Sequence, residues 1–164
     1  MKTRGIGVFL RVIVLAVVAV LLYINSKKTT KIKKQLKLID FNRFDLFFKN
    51  LLQHKLETDY IGLTSNAINC LYFNNHKNRI NIEFEVVEKE QLDYVESLLA
   101  YAEDKNFEVI KTSYANKANY DKTLEAPVYQ IICNLNLKNA SLITKDIFIK
   151  VFNCDNSTQF EMIS

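Results

Sequence analysis

Residues Ile6–Ile24 read IGVFLRVIVLAVVAVLLYI, nineteen positions interrupted only by Gly7 and Arg11. A hydrocarbon core about 30 Å thick takes roughly 20 helical residues. A stretch like this spans a membrane or directs export. The rest of the chain must then fold as a polar-surfaced domain near one membrane face.

Cleavage of the stretch as a signal peptide would need small residues at paired positions after it. The sequence there is Tyr23-Ile24-Asn25-Ser26-Lys27-Lys28, and no cysteine follows for lipid attachment. The expectation is a retained anchor over 6–25, with Ile6, Leu10, Arg11, Val14, Val18 and Leu22 in the span. Residues 1–5 form a short tail before it and residues 26–39 a basic stalk after it. Six lysines fall between Lys27 and Lys37. Counted over both flanks, positive charge on the cytoplasmic side would put the C-terminal domain in the cytoplasm. A short basic tail ahead of an apolar run is, however, the usual form of an anchor whose N-terminus is inside. Arg11 snorkels toward that tail. We read the N-terminus as cytoplasmic and the domain as outside.

Composition excludes several classes of function. The formal net charge is +4, which the six juxtamembrane lysines alone exceed, so the folded part is near neutral or slightly acidic. Nucleic-acid binding needs a basic surface on the fold itself. The lysine run reads instead as a solvated or headgroup-facing segment. Three glycines and one proline leave no material for a Gly-rich phosphate loop. No nucleophile elbow, HExxH or P-loop occurs. Cys70, Cys133 and Cys154 form no CxxC pair. They read as small buried hydrophobes, with a Cys133–Cys154 bridge the alternative. His54 and His76 lack metal-ligand spacing. We expect no catalytic residue, metal or cofactor.

The domain itself is expected over 40–137. Asp40 is a candidate N-cap. Phe44, Phe47, Phe48, Leu51, Leu52 and Leu56 follow at helical spacing. This stripe faces a core or, alternatively, a partner. Ile61–Ser65 reads as a turn, Ala67–Phe73 as a strand and Asn74–Asn78 as a polar turn. In Arg79–Val87, Ile80, Ile82, Phe84 and Val86 alternate with Asn81, Glu83 and Glu85, a half-buried strand. Glu83 and Glu85 would then face solvent, the alternative being a general acid–base pair. Glu88–Lys105 is a helix with Leu92, Val95, Leu98, Leu99 and Ala102 as its stripe. Phe107–Thr112 is a strand, Tyr114–Pro127 a long polar loop and Val128–Leu137 a strand. In the extension 138–164, Ile147, Ile149 and Val151 alternate as in a strand. β-Branched residues favour a hairpin there over a helix capped by Ser141. The order α-β-β-α-β-β gives a two-layer α+β sandwich of circularly permuted ferredoxin-like type.

The segment NRINIEFEVVEKEQLDYVESLLAYAEDKNFEVIKTS, with VYQIICNLNL after a polar loop, carries a strand–helix–strand–strand cadence. Behind a single anchor and stalk, it resembles the bitopic inner-membrane assembly proteins of type IV pilus, type II secretion and DNA-uptake (competence) machines, namely the PilN-, PilO- and GspM-like families. The resemblance covers Ile6 to Leu137 and is one of pattern and order, with no invariant motif matched. The Asn-Leu-Leu-Pro-like tail of PilN-type proteins has no counterpart in Met1–Gly5, which favours a PilO- or GspM-like role. The resemblance implies a non-enzymatic scaffold in the bacterial inner membrane, with a periplasmic domain. It would pair with other single-pass proteins of the same machine, or with itself, as a homo- or heterodimer. Phe44, Phe48, Leu52, Leu92 and Leu99 are the candidate interface. The alternative is a tethered ligand-binding or sensory domain, or an immunity-type inhibitor, with a pocket rimmed by Tyr114, Tyr120 and Tyr129.

Overall fold

The computed structural model describes residues 38–56, 58–66 and 68–163. The anchor over 6–25 and residues 26–37 of the stalk lie outside the described residues, whereas the last two residues expected in the stalk, Leu38 and Ile39, form a strand of the domain. Among the described residues no helix is long and apolar enough to cross a membrane.

The chain runs β1 (Leu38–Ile39), a 3-10 turn (Phe41–Arg43), α1 (Phe44–Leu52), β2 (Tyr60–Thr64), β3 (Cys70–His76) and β4 (Arg79–Glu85). A second 3-10 turn (Lys89–Gln91) leads into α2 (Leu92–Asp104). Then come β5 (Glu108–Lys117), β6 (Glu125–Leu135), α3 (Leu137–Lys150) and β7 (Phe160–Ile163). All seven strands form one antiparallel sheet in the order β1-β7-β2-β3-β4-β6-β5. The expected α+β class is therefore what the chain adopts.

Local chemistry explains most of the elements. The Asp40 carboxylate accepts from the Asn42 amide at 3.0 Å, capping the turn that opens α1. One face of α1 is apolar, and Phe44, Phe47, Phe48 and Leu51 from it are fully buried. His54 stops the helix in a left-handed conformation at φ 49°, the usual geometry just past a helix C-terminus. Lys77 and Asn78, at φ 51° and 61°, make a two-residue turn between β3 and β4. Positive φ at both central positions matches the natural twist of a hairpin. The polar turn expected over Asn74–Asn78 is thus only Lys77–Asn78, and β3 continues to His76. Ile61–Thr64, expected as a turn, is most of β2, because Ile61 and Leu63 bury under the helices.

The largest departure is the C-terminal extension. The hairpin expected there is a helix, α3, followed by β7. Its cap is Asn136, whose side chain accepts from the Asn139 amide at 3.0 Å. Ser141, weighed as the cap, instead back-bonds to the Leu137 carbonyl and donates to Asp45 on α1. α3 crosses the sheet so that β7 inserts between β1 and β2. The β-branched residues that suggest a strand are overruled by what the helix buries. Ile147 and Phe148 are almost completely enclosed.

That burial creates a chain of rings. Phe73 lies 5.0 Å from Phe48, and Phe48 lies 6.3 Å from Phe44. Phe44 meets Phe160 at 5.2 Å and Phe148 at 6.2 Å. Phe148 meets Phe152 at 5.5 Å, and Phe152 meets Phe84 at 5.6 Å. The rings come from α1, α3 and its trailing turn, and strands β3, β4 and β7. α2 joins this layer through Tyr94, 5.1 Å from Phe152, and through Tyr101, whose hydroxyl donates to Asp146 of α3 at 3.4 Å. All three helices therefore share one side of the sheet.

One glycine is required by close approach. A Cβ on Gly62 would stand 2.5 Å from Ile163 Cγ1 and 2.9 Å from Tyr72 Cδ1, its neighbours on β7 and β3. The space lets the Tyr72 ring lie stacked on Tyr60, 5.3 Å away and 9° from parallel.

Two substitutions test this packing in urea unfolding of the full chain in detergent. Phe44→Ala removes a ring from the centre of the cluster and is expected to cost about 3–5 kcal/mol. Leu142→Ala, at a side chain 56% exposed on α3, is expected to change stability by less than about 0.5 kcal/mol. Equal effects at the two positions would contradict this packing.

Candidate functional site

Among the described residues one side of the sheet has no helix on it, and that side carries polar side chains in register. Pairing sets Tyr72 opposite Glu83, Asn74 opposite Asn81 and Gln130 opposite Glu83 on its other side, with Ile110 opposite Gln130. Opposed residues share a face, so these form one layer across β3, β4, β6 and β5. Tyr60 and Gly62 of β2 extend it.

Two carboxylates sit within this layer. Glu83 is 3% exposed and Glu85 9% exposed. Burying a carboxylate is unfavourable unless hydrogen bonds replace its water. Glu83 accepts from Asn74 Nδ2 at 2.7 Å, from the Tyr114 hydroxyl at 2.9 Å and from Gln130 Nε2 at 3.5 Å. Gln130 also donates to the Tyr114 oxygen at 2.9 Å. Glu85 accepts from Asn116 Nδ2 at 2.9 Å. Its donors are neutral, and among the described residues neither carboxylate has an ion-pair partner.

The expectation that Glu83 and Glu85 face solvent is therefore corrected. The cause lies in β5. Its register with β6 shifts between Ser113 and Lys117, which adds two residues on the β5 side. The strand bows there, and Tyr114 and Asn116 reach across β6 to β4. The expected loop from Tyr114 begins as strand and turns only after Lys117. Asp121 organises that turn, accepting from the Thr123 amide at 2.9 Å and hydroxyl at 2.7 Å.

Electrostatics follow from this enclosure. Burial raises the Tyr60 hydroxyl pKa, and the charges of Glu83 and then Tyr114 push the same way. Burial likewise raises Tyr72, with Cys70 adding to the shift. The Cys70 thiol is pushed up to about 12, chiefly by burial, and so is Cys133. All three cysteines are free thiols, so the Cys133–Cys154 bridge is absent. Cys154 instead lies 3.6 Å from the Ser65 hydroxyl.

A groove of about 730 Å³ opens at one end of this face. Tyr60 and Asp59 line it at the β2 end, Asn74 and Asn81 its floor, and Glu108 and Ile110 its β5 end. His54, expected on a helix, lies just past α1 with Nδ1 2.7 Å from Asp59 Oδ1. His76 closes β3 and also lines the groove. Among the described residues no three His, Cys, Asp or Glu side chains come together as a metal site.

The structure separates the other candidate residues. Phe44 and Phe48 are completely buried in the ring cluster, so they are corrected from interface to core. Leu52 is half-buried, whereas Leu92 and Leu99 are exposed on α2. The pocket expected from Tyr114, Tyr120 and Tyr129 does not form. Tyr129 faces the helix side under the Lys111 ammonium, 5.6 Å from its ring, whereas Tyr114 is on the opposite face. The tyrosines that do share a face are Tyr60, Tyr72 and Tyr114. Placing the hairpin turn at Lys77–Asn78 is the signal that finds them, because counting back from it sets Tyr72 against Glu83.

The thiols give a pH prediction. An acid whose pKa is raised by folding stabilises the fold below its unfolded value, and that contribution is lost as pH rises through the folded one. For Cys70 and Cys133 the window runs from 9.0 to about 12. The raised tyrosines Tyr60, Tyr72 and Tyr101 act in the same direction above 10.0. The unfolding temperature is expected to fall across this range. At pH 8.5, iodoacetamide should leave the buried Cys70 unmodified in the folded chain, as read by peptide mass. Fast modification of Cys70 would contradict its burial.

Compared with known protein families, curated proteins and solved structures, the chain matches none.

Proposed function

We propose that this protein is a non-enzymatic scaffold subunit, held in the bacterial inner membrane by Ile6–Ile24 with its domain on the periplasmic side. It acts by protein–protein interaction in a machine of the type IV pilus, type II secretion or DNA-uptake kind. On this reading β3-β4-α2-β5-β6, with α1 before it, is a circularly permuted ferredoxin-like unit. Its strand order, β3-β4-β6-β5, is the order such a unit requires. β2, β7 and β1 extend that sheet on the β3 side.

The observation that carries the interaction reading is β5. Among the described residues it is a ten-residue edge strand paired with β6 alone, with Ile110 and Tyr114 exposed along it. Long open edges are templates for pairing, and proteins without an edge partner usually shorten or cover them. The Glu83–Tyr114–Gln130 network supports the same reading, because it positions the strand from behind. A second reading, a tethered ligand-binding domain, is favoured by the groove between Asp59 and Glu108.

The two readings separate in one experiment. The scaffold reading predicts that the full chain, extracted in mild detergent from its native membrane, co-purifies with another single-pass protein. A lone monomer whose unfolding temperature is raised by a small molecule in the groove would favour the second reading instead.

A further inference from the structure

β5 differs along its length. From Glu108 to Ser113 it keeps unbroken register with β6, and the bow begins only after that. Within the regular stretch, Glu108 and Ile110 lie on the polar face, opposite Ile132 and Gln130. Val109 and Lys111 lie on the helix side, opposite Ile131 and Tyr129. The outer edge of this stretch therefore offers an acidic residue and an apolar one on one face. On the other face it offers an apolar residue and a basic one.

Resting on the scaffold reading, we infer that Glu108–Ser113 is the docking edge for an extended segment of a different protein. That segment adds as an antiparallel strand, with an acidic residue opposite Lys111, an apolar one opposite Ile110 and a basic one opposite Glu108. Main-chain hydrogen bonds hold such an added strand, and alternate side chains give it specificity. Ile110, 43% exposed, is the apolar contact. Glu108 also forms the β5 end of the groove, so a basic side chain on that face meets its carboxylate.

Charge pattern argues against a second copy of this chain as the occupant. Two β5 strands joined about a two-fold axis perpendicular to the sheet oppose residues whose numbers sum to an even value, since opposed residues share a face. Glu108 with Lys111 or Lys117 gives an odd sum, so no such register sets opposite charges against each other. The register centred on Lys111 sets lysine on lysine. A different chain is free of this constraint.

The test uses two blocked, fluorophore-labelled peptides of identical composition, titrated onto the full chain in detergent by anisotropy. Read antiparallel to residues 112–108, the matched peptide has the core Thr-Glu-Val-Ile-Lys. The control exchanges its charges to Thr-Lys-Val-Ile-Glu. The matched peptide is expected to bind about tenfold more tightly or better. The double variant Glu108→Lys with Lys111→Glu should reverse that preference, and Ile110→Lys should abolish binding while leaving the unfolding temperature unchanged. Equal affinity for the two peptides, or a preference unmoved by the double variant, would overturn the proposal. So would a dimer in light scattering that Ile110→Lys dissociates, which would assign the edge to a second copy. If the peptides fail while a single-pass partner still co-purifies with the Ile110→Lys chain, the scaffold reading stands and this edge is not its contact.

Discussion

The fold depends on one continuous contact between phenylalanine rings. Phe73, Phe48, Phe44, Phe148, Phe152 and Phe84 touch in sequence from β3 to β4 by way of α1 and α3, and Phe160 of β7 packs against Phe44 and Phe148. Each buried ring contributes roughly 1.5–3 kcal/mol by transfer from water. Edge-on and tilted pairs add about 0.5–1.5 kcal/mol apiece. The rings come from positions far apart in the chain, so no single hairpin or helix can bury its share alone. α3 and β7 are for this reason part of the core and not an appendage to it. β7 lies between β1 and β2, which ties the last described residues to the first.

Collecting the helices on one side leaves the other side of the sheet to solve a different problem. A sheet face without helices must be wet or must satisfy its own polar groups. Here Glu83 and Glu85 are enclosed, and the bow in β5 brings Tyr114 and Asn116 over them. Tyr60 and Tyr72 stack in the gap that Gly62 leaves. The same network holds the outer strand in place from behind. Core packing, the polar face and the shape of the open edge are thus linked through β4, whose alternate residues face the two layers.

Much of this was legible in residue order. The period-two alternation of Ile80, Ile82, Phe84 and Val86 marks β4 because one of its faces is purely apolar. The helical spacing of Phe44, Phe47, Phe48 and Leu51 marks α1, and Asp40 marks its start. Two features were hidden for physical reasons. α3 carries Ile143, Ile147 and Ile149 and is followed by Val151, types that favour strands, and the fit of Phe148 against Phe44 and Phe160 decides for a helix. The enclosure of Glu83 depends on partners 9, 31 and 47 residues away, which no local pattern reveals. The stretch 114–117 reads as loop because its polar residues serve that network and not an apolar core.

Among the described residues β5 is unpaired on its outer side, and on our proposal a partner strand takes that edge. Hydrogen exchange of the full chain in detergent, without partners, tests this most directly. Amides of β3, β4 and β6, paired on both sides, should be strongly protected. In β5, alternate amides should exchange within seconds, because those not bonded to β6 face the open edge. Uniform protection of β5, at the level of β4, would mean that the edge is already covered and would contradict the account.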